Sequence, residues 1–467
     1  MNDTGKKRLV FCFDGTWNRI DAPFPTNVVL TAESVLPQTR DGDVQVVYYD
    51  EGVGTGQWEK WTGGVFGAGL LKNLGDAYRA LLFNHTPGDE IYIFGFSRGA
   101  FTARSFAGLV ATVGILSRKD AAKANEAVAL YKRRTDSPGY REEVARFRAT
   151  YSEETTVSEA DEAWRVANMA DYTASSSPRL RVRYLGVWDT VGALGIPQSV
   201  ARFGLTSGKY RFHDLNLSPF VEEARHAVAL DERRVDFGPT LWENIDELNK
   251  VRGVAGDADD APYQQRWFPG THGGVGGGGD RRGLSDAALE WIWDGARHAG
   301  LELDLRRGSR VFELRPDHTE YVDNVTPSGR FSLGGFLMNL NQADRAGPNT
   351  LSNVAQSARR RWKDDAANLK DRSAYRPGSL RSAAPGLDAL KSEELGLGAD
   401  ANSAPFNLHV VVAGDTLSKL ALRFYGNAEL WPEIYSANKY KVSDPNRIYV
   451  GQVLRVPTLK SAVQVSD

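Results

Sequence analysis

The sequence predicts an open, mostly parallel α/β sheet, and three features predict it. Short apolar, β-prone runs end in turn signals, helical periodicities fill the gaps between them, and a glycine-flanked serine stands at a strand-to-helix junction. Arg8 to Phe13 (RLVFCF) ends at Asp14-Gly15-Thr16, and Val44 to Tyr49 and Ile91 to Phe94 repeat the scheme. Between the last two, Leu70, Leu71, Leu74, Tyr78, Leu81 and Leu82 recur at helical spacing, and Pro87-Gly88-Asp89 breaks the helix before the next strand. Leu180 to Trp188 forms a further strand ending at Asp189, and Gln265 to Phe268 runs into Pro269-Gly270-Thr271-His272. In such a sheet the ligand site lies at the carboxyl ends of the strands.

With 467 residues, the chain should hold two or three folding units. Its 57 basic and 59 acidic side chains nearly cancel, which argues against a purely electrostatic binder of nucleic acid or anionic membrane. A hydrophobic fraction of 41% with 11 Trp, 20 Phe and 17 Tyr excludes wholesale disorder. Cys12 is the only cysteine, so neither an intramolecular disulfide nor a CxxC-type metal or redox site can form. No stretch approaches the ~20 apolar residues that cross a bilayer, and Met1 to Lys7 is polar and leads into a strand. The expectation is a chain made in the cytoplasm without a cleavable signal.

Residues 1–305 read as one catalytic-sized domain, with a charge-rich helical insertion at about 118–178 that suits either surface packing or a mobile lid. Residues 306–405 read as an extension and linker. In it Arg359 to Arg381 mixes both signs on an expected solvated helix, and Ser382 to Pro405, rich in Ala, Gly, Ser and Pro, reads as flexible. Residues 407–460 form a compact unit. Val410 to Val412 makes a short strand, and Gly414-Asp415-Thr416 turns and caps a helix carrying Leu417, Leu420, Ala421 and Phe424. Gly426-Asn427 stops that helix, a second carries Leu430, Trp431, Ile434 and Tyr435, and Ile448 to Val456 returns as a strand.

The chemistry centres on Gly95-Phe96-Ser97-Arg98-Gly99, which follows the strand DEIYIF and opens a helix through Ala100, Phe101, Ala103, Phe106 and Leu109. Flanking glycines permit a sharp turn that lifts a serine hydroxyl into the cleft, so Ser97 is the candidate nucleophile; the plain alternative is a tight βα turn. Among seven histidines, His272 alone follows the last predicted strand and precedes a glycine-rich loop, and serine-then-histidine order fits an α/β-hydrolase. His226 reads as a packed or surface residue of a helical stretch. Asp189, at the same predicted sheet edge as Ser97, is the first choice for the orienting carboxylate, with Asp231 in reserve. The Arg98 backbone N–H, with Gly15 and Thr16, would hold an oxyanion while Asp14 braces the loop; the alternative for Asp14 to Thr16 is a plain turn. Acyl transfer by such a set needs no cofactor or metal.

Two resemblances add to this reading. The segments GDTLSKLALRFYG, WPEIYSAN and IYVGQVLRVP closely resemble the LysM domain, which implies binding of peptidoglycan or other N-acetylglucosamine glycans, or an assembly role in a phage-tail-like machine. FCFDGTWN, DEGVGTG, GAGLLKNLGDAYRAL, GFSRGAFTAR, GVWDTVGALG, HAVALDERR and WFPGTHGGVGGG, in order across most of residues 7 to 300, resemble the DUF2235 family, which includes Tle1-type phospholipase effectors of type VI secretion. That resemblance implies an α/β-hydrolase fold, a triad of Ser97, Asp189 and His272, and lipase activity on glycerophospholipids by an antibacterial toxin. It further implies a secretion-machine carrier, an immunity protein, and delivery to the periplasm of a target cell. One departure stands out: where the family commonly has an aspartate two residues after the histidine, this chain has Gly274.

Rival readings are weaker. In a haloacid-dehalogenase-type phosphatase the nucleophilic aspartate would stand where Cys12 does. Gly274 to Gly279 satisfies G-x-G-x-x-G only as a nearly pure glycine run, and no GK[ST] follows. The alternative from another class is a non-catalytic cell-wall or secretion-tail adaptor that works through its LysM unit.

Overall fold

The computed structural model describes residues 5–15, 20–52, 63–192, 216–256, 258, 260–326, 342–395, 397, 405–442 and 444–459, with side chains of 63–68 excepted. Six parallel strands form the central sheet: β1 (Lys7–Phe13), β2 (Val44–Asp50), β3 (Glu90–Phe96), β4 (Val182–Trp188), β5 (Val221–Ala229) and β6 (Tyr263–Phe268). Their order is β2-β1-β3-β4-β5-β6, so the chain reverses its direction of travel across the sheet at β1. Such a switch point opens a crevice at the strands' carboxyl ends. The architecture is that of an α/β-hydrolase.

Alternation along β1 assigns the two cores. Leu9, Phe11 and Phe13 face α2 (Gly63–Asn84) and α3 (Arg98–Val113) on one side of the sheet. Val10 and Cys12 face α1 (Asn27–Ser34) and the later helix Gly283–His298 on the other. The insertion joins the first core. Its helices α4 (Ala124–Lys132) and α5 (Pro138–Tyr151) bring Leu130, Tyr131, Val144 and Phe147 against α3, and α6 (Glu159–Asn168) follows. Arg165, fully buried, ties the insertion's turns together through the carbonyls of Ser152 and Thr155 at 2.9 and 3.0 Å. Packing is thus the role these contacts support.

Three expectations need correction. The stretch around His226, read as helical, is strand β5, because pairing on both sides with β4 and β6 overrides local propensity. Arg359 to Arg381 is not a solvated helix: its α-helix stops at Lys363, a short 3-10 turn follows at Gly378–Leu380, and Ala358, Trp362, Leu369, Tyr375 and Leu380 build a third core against Val228 and Trp267. Its Arg361 is buried and donates to the carbonyls of His318 and Glu320. The described part of Ser382 to Pro405 is packed as well, since Ala383 and Leu387 close that core around a short helix at Ala384–Ala389 and Leu395 is buried.

The last unit pairs β7 (Phe406–Val410) antiparallel with β8 (Val453–Pro457) around two helices, Leu417–Tyr425 and Trp431–Asn438. The first strand begins earlier and the second starts later than the apolar runs suggest. Thr416 caps the first helix, accepting from the Lys419 N–H at 3.2 Å, and Gly426 ends it in the left-handed region at φ 74°.

Candidate active site

Register brings the reactive groups to one edge. Phe13 pairs with Gly95, Phe96 with Trp188, Trp188 with Ala227, and Ala229 with Phe268. Asp14, Ser97, Asp189 and the loop leading to His272 therefore leave the sheet side by side. Sequence separation of 175 residues between Ser97 and His272 collapses to a hydrogen bond.

The turn after β3 is tight. Ser97 holds φ 59° and ψ −123°, a conformation costing of order 1–3 kcal/mol for a residue with a side chain. Its N–H is fixed by the Trp188 carbonyl at 3.0 Å. The flanking glycines are sterically required. A Cβ at Gly99 would lie 2.2 Å from the Phe13 carbonyl oxygen, and one at Gly95 would lie 2.5 Å from that of Gly99.

Ser97 Oγ lies 2.8 Å from His272 Nε2, and His272 Nδ1 lies 2.6 Å from Asp189 Oδ2. With Nδ1–H donated to the carboxylate, Nε2 is left to accept the serine proton. Phe96 lies beside the imidazole at 4.6 Å and Phe237 meets it edge-on at 5.0 Å, holding its plane. The His272 backbone N–H donates to Glu232 Oε2 at 3.2 Å, and Arg234 locks Glu232 from two nitrogens at 2.8 and 2.7 Å.

Asp189 is wholly buried, at φ 38°. Burial alone would raise its carboxyl, but Arg345 and His272 outweigh that and hold it far below the usual carboxylate range. Arg345 donates Nη1 to Oδ1 at 2.7 Å and Nη2 to Oδ2 at 3.0 Å, and the Ala229 N–H adds a third bond to Oδ1 at 2.9 Å. The reserve acid is committed elsewhere: Asp231 accepts from the Gly270 N–H at 2.6 Å and from the Tyr375 hydroxyl at 2.8 Å.

The Asp14 carboxylate accepts from the Gly15 N–H, the Thr26 hydroxyl and the Tyr49 hydroxyl at 2.7, 2.6 and 2.9 Å, so it braces its loop. The Gly15 N–H is spent on that bond rather than turned to an oxyanion. Thr16 falls outside the described residues. Arg98 opens α3, and its backbone N–H stands at the helix start beside Ser97. Gly274 also finds its reason. A Cβ there would sit 2.8 Å from the Val322 carbonyl oxygen, which also accepts the Thr271 N–H at 3.0 Å. Main chain from the extension covers the spot where the resembled pattern has aspartate.

His226 is packed, the first of its two expected alternatives, but on a strand and not a helix. Its Nε2 accepts the Thr190 N–H at 3.2 Å and its Nδ1 faces Gln265 Oε1 at 2.9 Å. Burial and then Arg104 push it down to about 3, so it is neutral and acts as an acceptor.

A family model described as the catalytic domain of Tle1-like phospholipase effectors of type VI secretion matches residues 7–295, and a LysM model matches residues 409–457. The chain belongs to the Tle1-like family. This Tle1-like chain is 28% identical to an uncharacterized protein of Saccharomyces cerevisiae over 263 residues, 52% of this chain and 34% of that one. Over 49 residues, 10% of its length, it is 49% identical to a potassium binding protein of Escherichia coli and 57% identical to an esterase of Mycobacterium tuberculosis, covering 33% and 10% of those proteins. The chain thus spans about a third or less of the curated relatives it matches. Among solved structures, the Tle1 effector bound to the VgrG spike from the type 6 secretion system aligns at 18% identity and TM-score 0.30, covering 58% of this chain and 51% of that one. An uncharacterized protein from Pseudomonas aeruginosa aligns at 16% identity and TM-score 0.35, covering 95% and 65%.

Sequence reasoning missed Arg345, Phe237 and Glu232. Glu232 stands in the block HAVALDERR, beside the reserve acid, but nothing in QADRAGPNT marks Arg345 as different from a solvated arginine.

Proposed function

We propose that this Tle1-like chain is a serine esterase that cleaves acyl esters of glycerophospholipids, with Ser97 as nucleophile, His272 as base and Asp189 as orienting acid. The observation that carries the reading is the hydrogen-bonded series Ser97 Oγ to His272 Nε2 at 2.8 Å and His272 Nδ1 to Asp189 at 2.6 Å. Membership of a family described as phospholipase effectors supports the substrate class.

Ser97 Oγ attacks the ester carbonyl as Nε2 takes its proton; the alcohol leaves with that proton, and water releases the acyl group by the reverse relay. The oxyanion faces the N-terminus of α3, where Arg98 supplies the first helical N–H and the helix dipole favours negative charge. Strain stored at Ser97 keeps the hydroxyl raised at the strand end. Delivery by a type VI machine to a target cell's periplasm, a spike-type carrier, an immunity protein and glycan binding by the LysM domain complete the reading. The absence of the family's aspartate at Gly274 would favour the adaptor alternative, but the Val322 main chain accounts for that glycine.

Mass-spectrometric analysis of lipid products from phospholipid vesicles tests this. The purified chain should release fatty acid and lysophospholipid, and Ser97→Ala and His272→Ala should each lower the rate by at least about 10⁴-fold. Release at the wild-type rate by either variant would defeat the assignment.

A further inference from the structure

We propose that Arg345 is a positioning residue for this chemistry, clamping Asp189 so that the C-terminal extension completes an active site begun by the family-matched residues. The inference rests on the esterase reading above.

Arg345 lies outside residues 7–295, yet its guanidinium reaches the deepest member of the proposed triad. The pairing is a fork: two nitrogens meet two carboxylate oxygens at 2.7 and 3.0 Å, with the arginine side chain 4% exposed. The same two nitrogens also donate to the carbonyls of Ala229 at 2.8 Å and Phe237 at 2.5 Å. One side chain thereby joins the acid, the end of β5, and the residue whose ring meets His272 edge-on. The chain just before it is anchored. The Ala343 N–H donates to the Arg233 carbonyl at 2.9 Å, and Asp344 pairs with Arg233 at 3.0 Å.

Without a partner, a buried aspartate at φ 38° would relax or take up a proton, and either would release His272 Nδ1. The charged and titratable groups around this couple are His272 and Arg345 against Asp189, His226 and Arg104 behind it, and Glu232 at the His272 main chain.

Arg345→Met and Arg345→Lys in the full chain test the clamp. With a soluble short-chain ester, Arg345→Met should lower kcat about 100-fold with KM within about threefold, less than the ~10⁴-fold that follows loss of a triad carboxylate. Arg345→Lys keeps the charge without the fork, so it should lower kcat about 10-fold. Wild-type kcat in either variant overturns the proposal. The low-field proton resonance of the His272–Asp189 bond gives a readout that needs no turnover. If the wild-type chain hydrolyses no ester, the esterase reading fails, while the clamp stands or falls on whether that resonance is lost in Arg345→Met or persists unchanged. Should Arg345→Met fail to fold, kcat and the resonance of Arg345→Lys decide alone, undisturbed values overturning the proposal.

Discussion

Ser97 and Asp189 both hold positive φ, at 59° and 38°, at the ends of neighbouring strands β3 and β4. Neither residue type adopts such angles freely, so each is kept there by bonds from elsewhere in the fold: Trp188 to the Ser97 N–H, and Arg345 and Ala229 to the Asp189 carboxylate. The carboxylate roles can be separated experimentally. Asp189→Asn should lower kcat for a soluble ester by about 10⁴-fold, because the amide cannot hold the productive imidazole tautomer. Asp231→Asn should cost less than about tenfold in kcat, since its contacts are to Gly270 and Tyr375. Steady-state kinetics of the two variants checks this, and the reverse order would reassign the acid. Ser97, His272 and Asp189 were legible as candidates because each follows a recognisable strand or motif, whereas Asp231 follows a strand that was read as helix. The sequence ranked Asp189 ahead of Asp231, but that Asp189 and not Asp231 lies against His272 is seen only in three dimensions, and Arg345 carried no local signal at all.

Among the elements, β5 shows where pattern reading fails. Its Glu, Arg and Ala residues favour a helix in isolation, but between β4 and β6 their backbone groups are satisfied only as strand. That strand buries His226 against Thr190, one residue past Asp189. The folded form disfavours the imidazolium, its pKa lying at about 3, whereas the unfolded chain protonates near the ordinary value. The unfolded state therefore binds the extra proton, and stability must fall as pH drops from about 6.5 towards 3. Between pH 6.5 and 5 this single group should remove about 2 kcal/mol. Urea midpoints of wild type and His226→Gln across that window test the point: the variant should show a shallower slope, and identical slopes would contradict the assignment. The strands β1, β3 and β4, by contrast, were legible because apolar runs ending in turn residues leave few other folds open.

On the scale of the whole molecule, the LysM domain is docked rather than tethered. Tyr440 and Lys441 meet Glu290 at 2.9 and 3.0 Å, Lys441 also pairs with Asp294 at 3.4 Å, and the Val453 N–H donates to Asp294 at 3.1 Å. Arg455 completes the contact through the Leu314 carbonyl at 2.8 Å. Two carboxylates from the helix Gly283–His298 thus face two cations from LysM, all four side chains nearly buried. Burial opposes the Lys441 charge, but Asp294 and Glu290 outweigh it and raise its pKa. Lys441→Met would leave both acids without their shared ammonium, at a cost of about 3–5 kcal/mol. Differential scanning calorimetry should show one cooperative transition in the wild type and a separate, earlier LysM transition in the variant; a single unshifted transition would show that the cluster does not hold the domains together. The LysM fold was legible from its own spacing, whereas its docking was not, because cations and carboxylates that pair across 150 residues look like ordinary surface charge in a sequence.

Every functional statement depends on the Ser97 hydroxyl being made nucleophilic by His272. Fluorophosphonate labelling followed by peptide mass spectrometry measures that reactivity without a lipid substrate. Covalent modification of the wild-type chain at Ser97, lost in His272→Ala, is the predicted result; an unmodified wild-type chain, or a label on Ser97 that persists without His272, would contradict it.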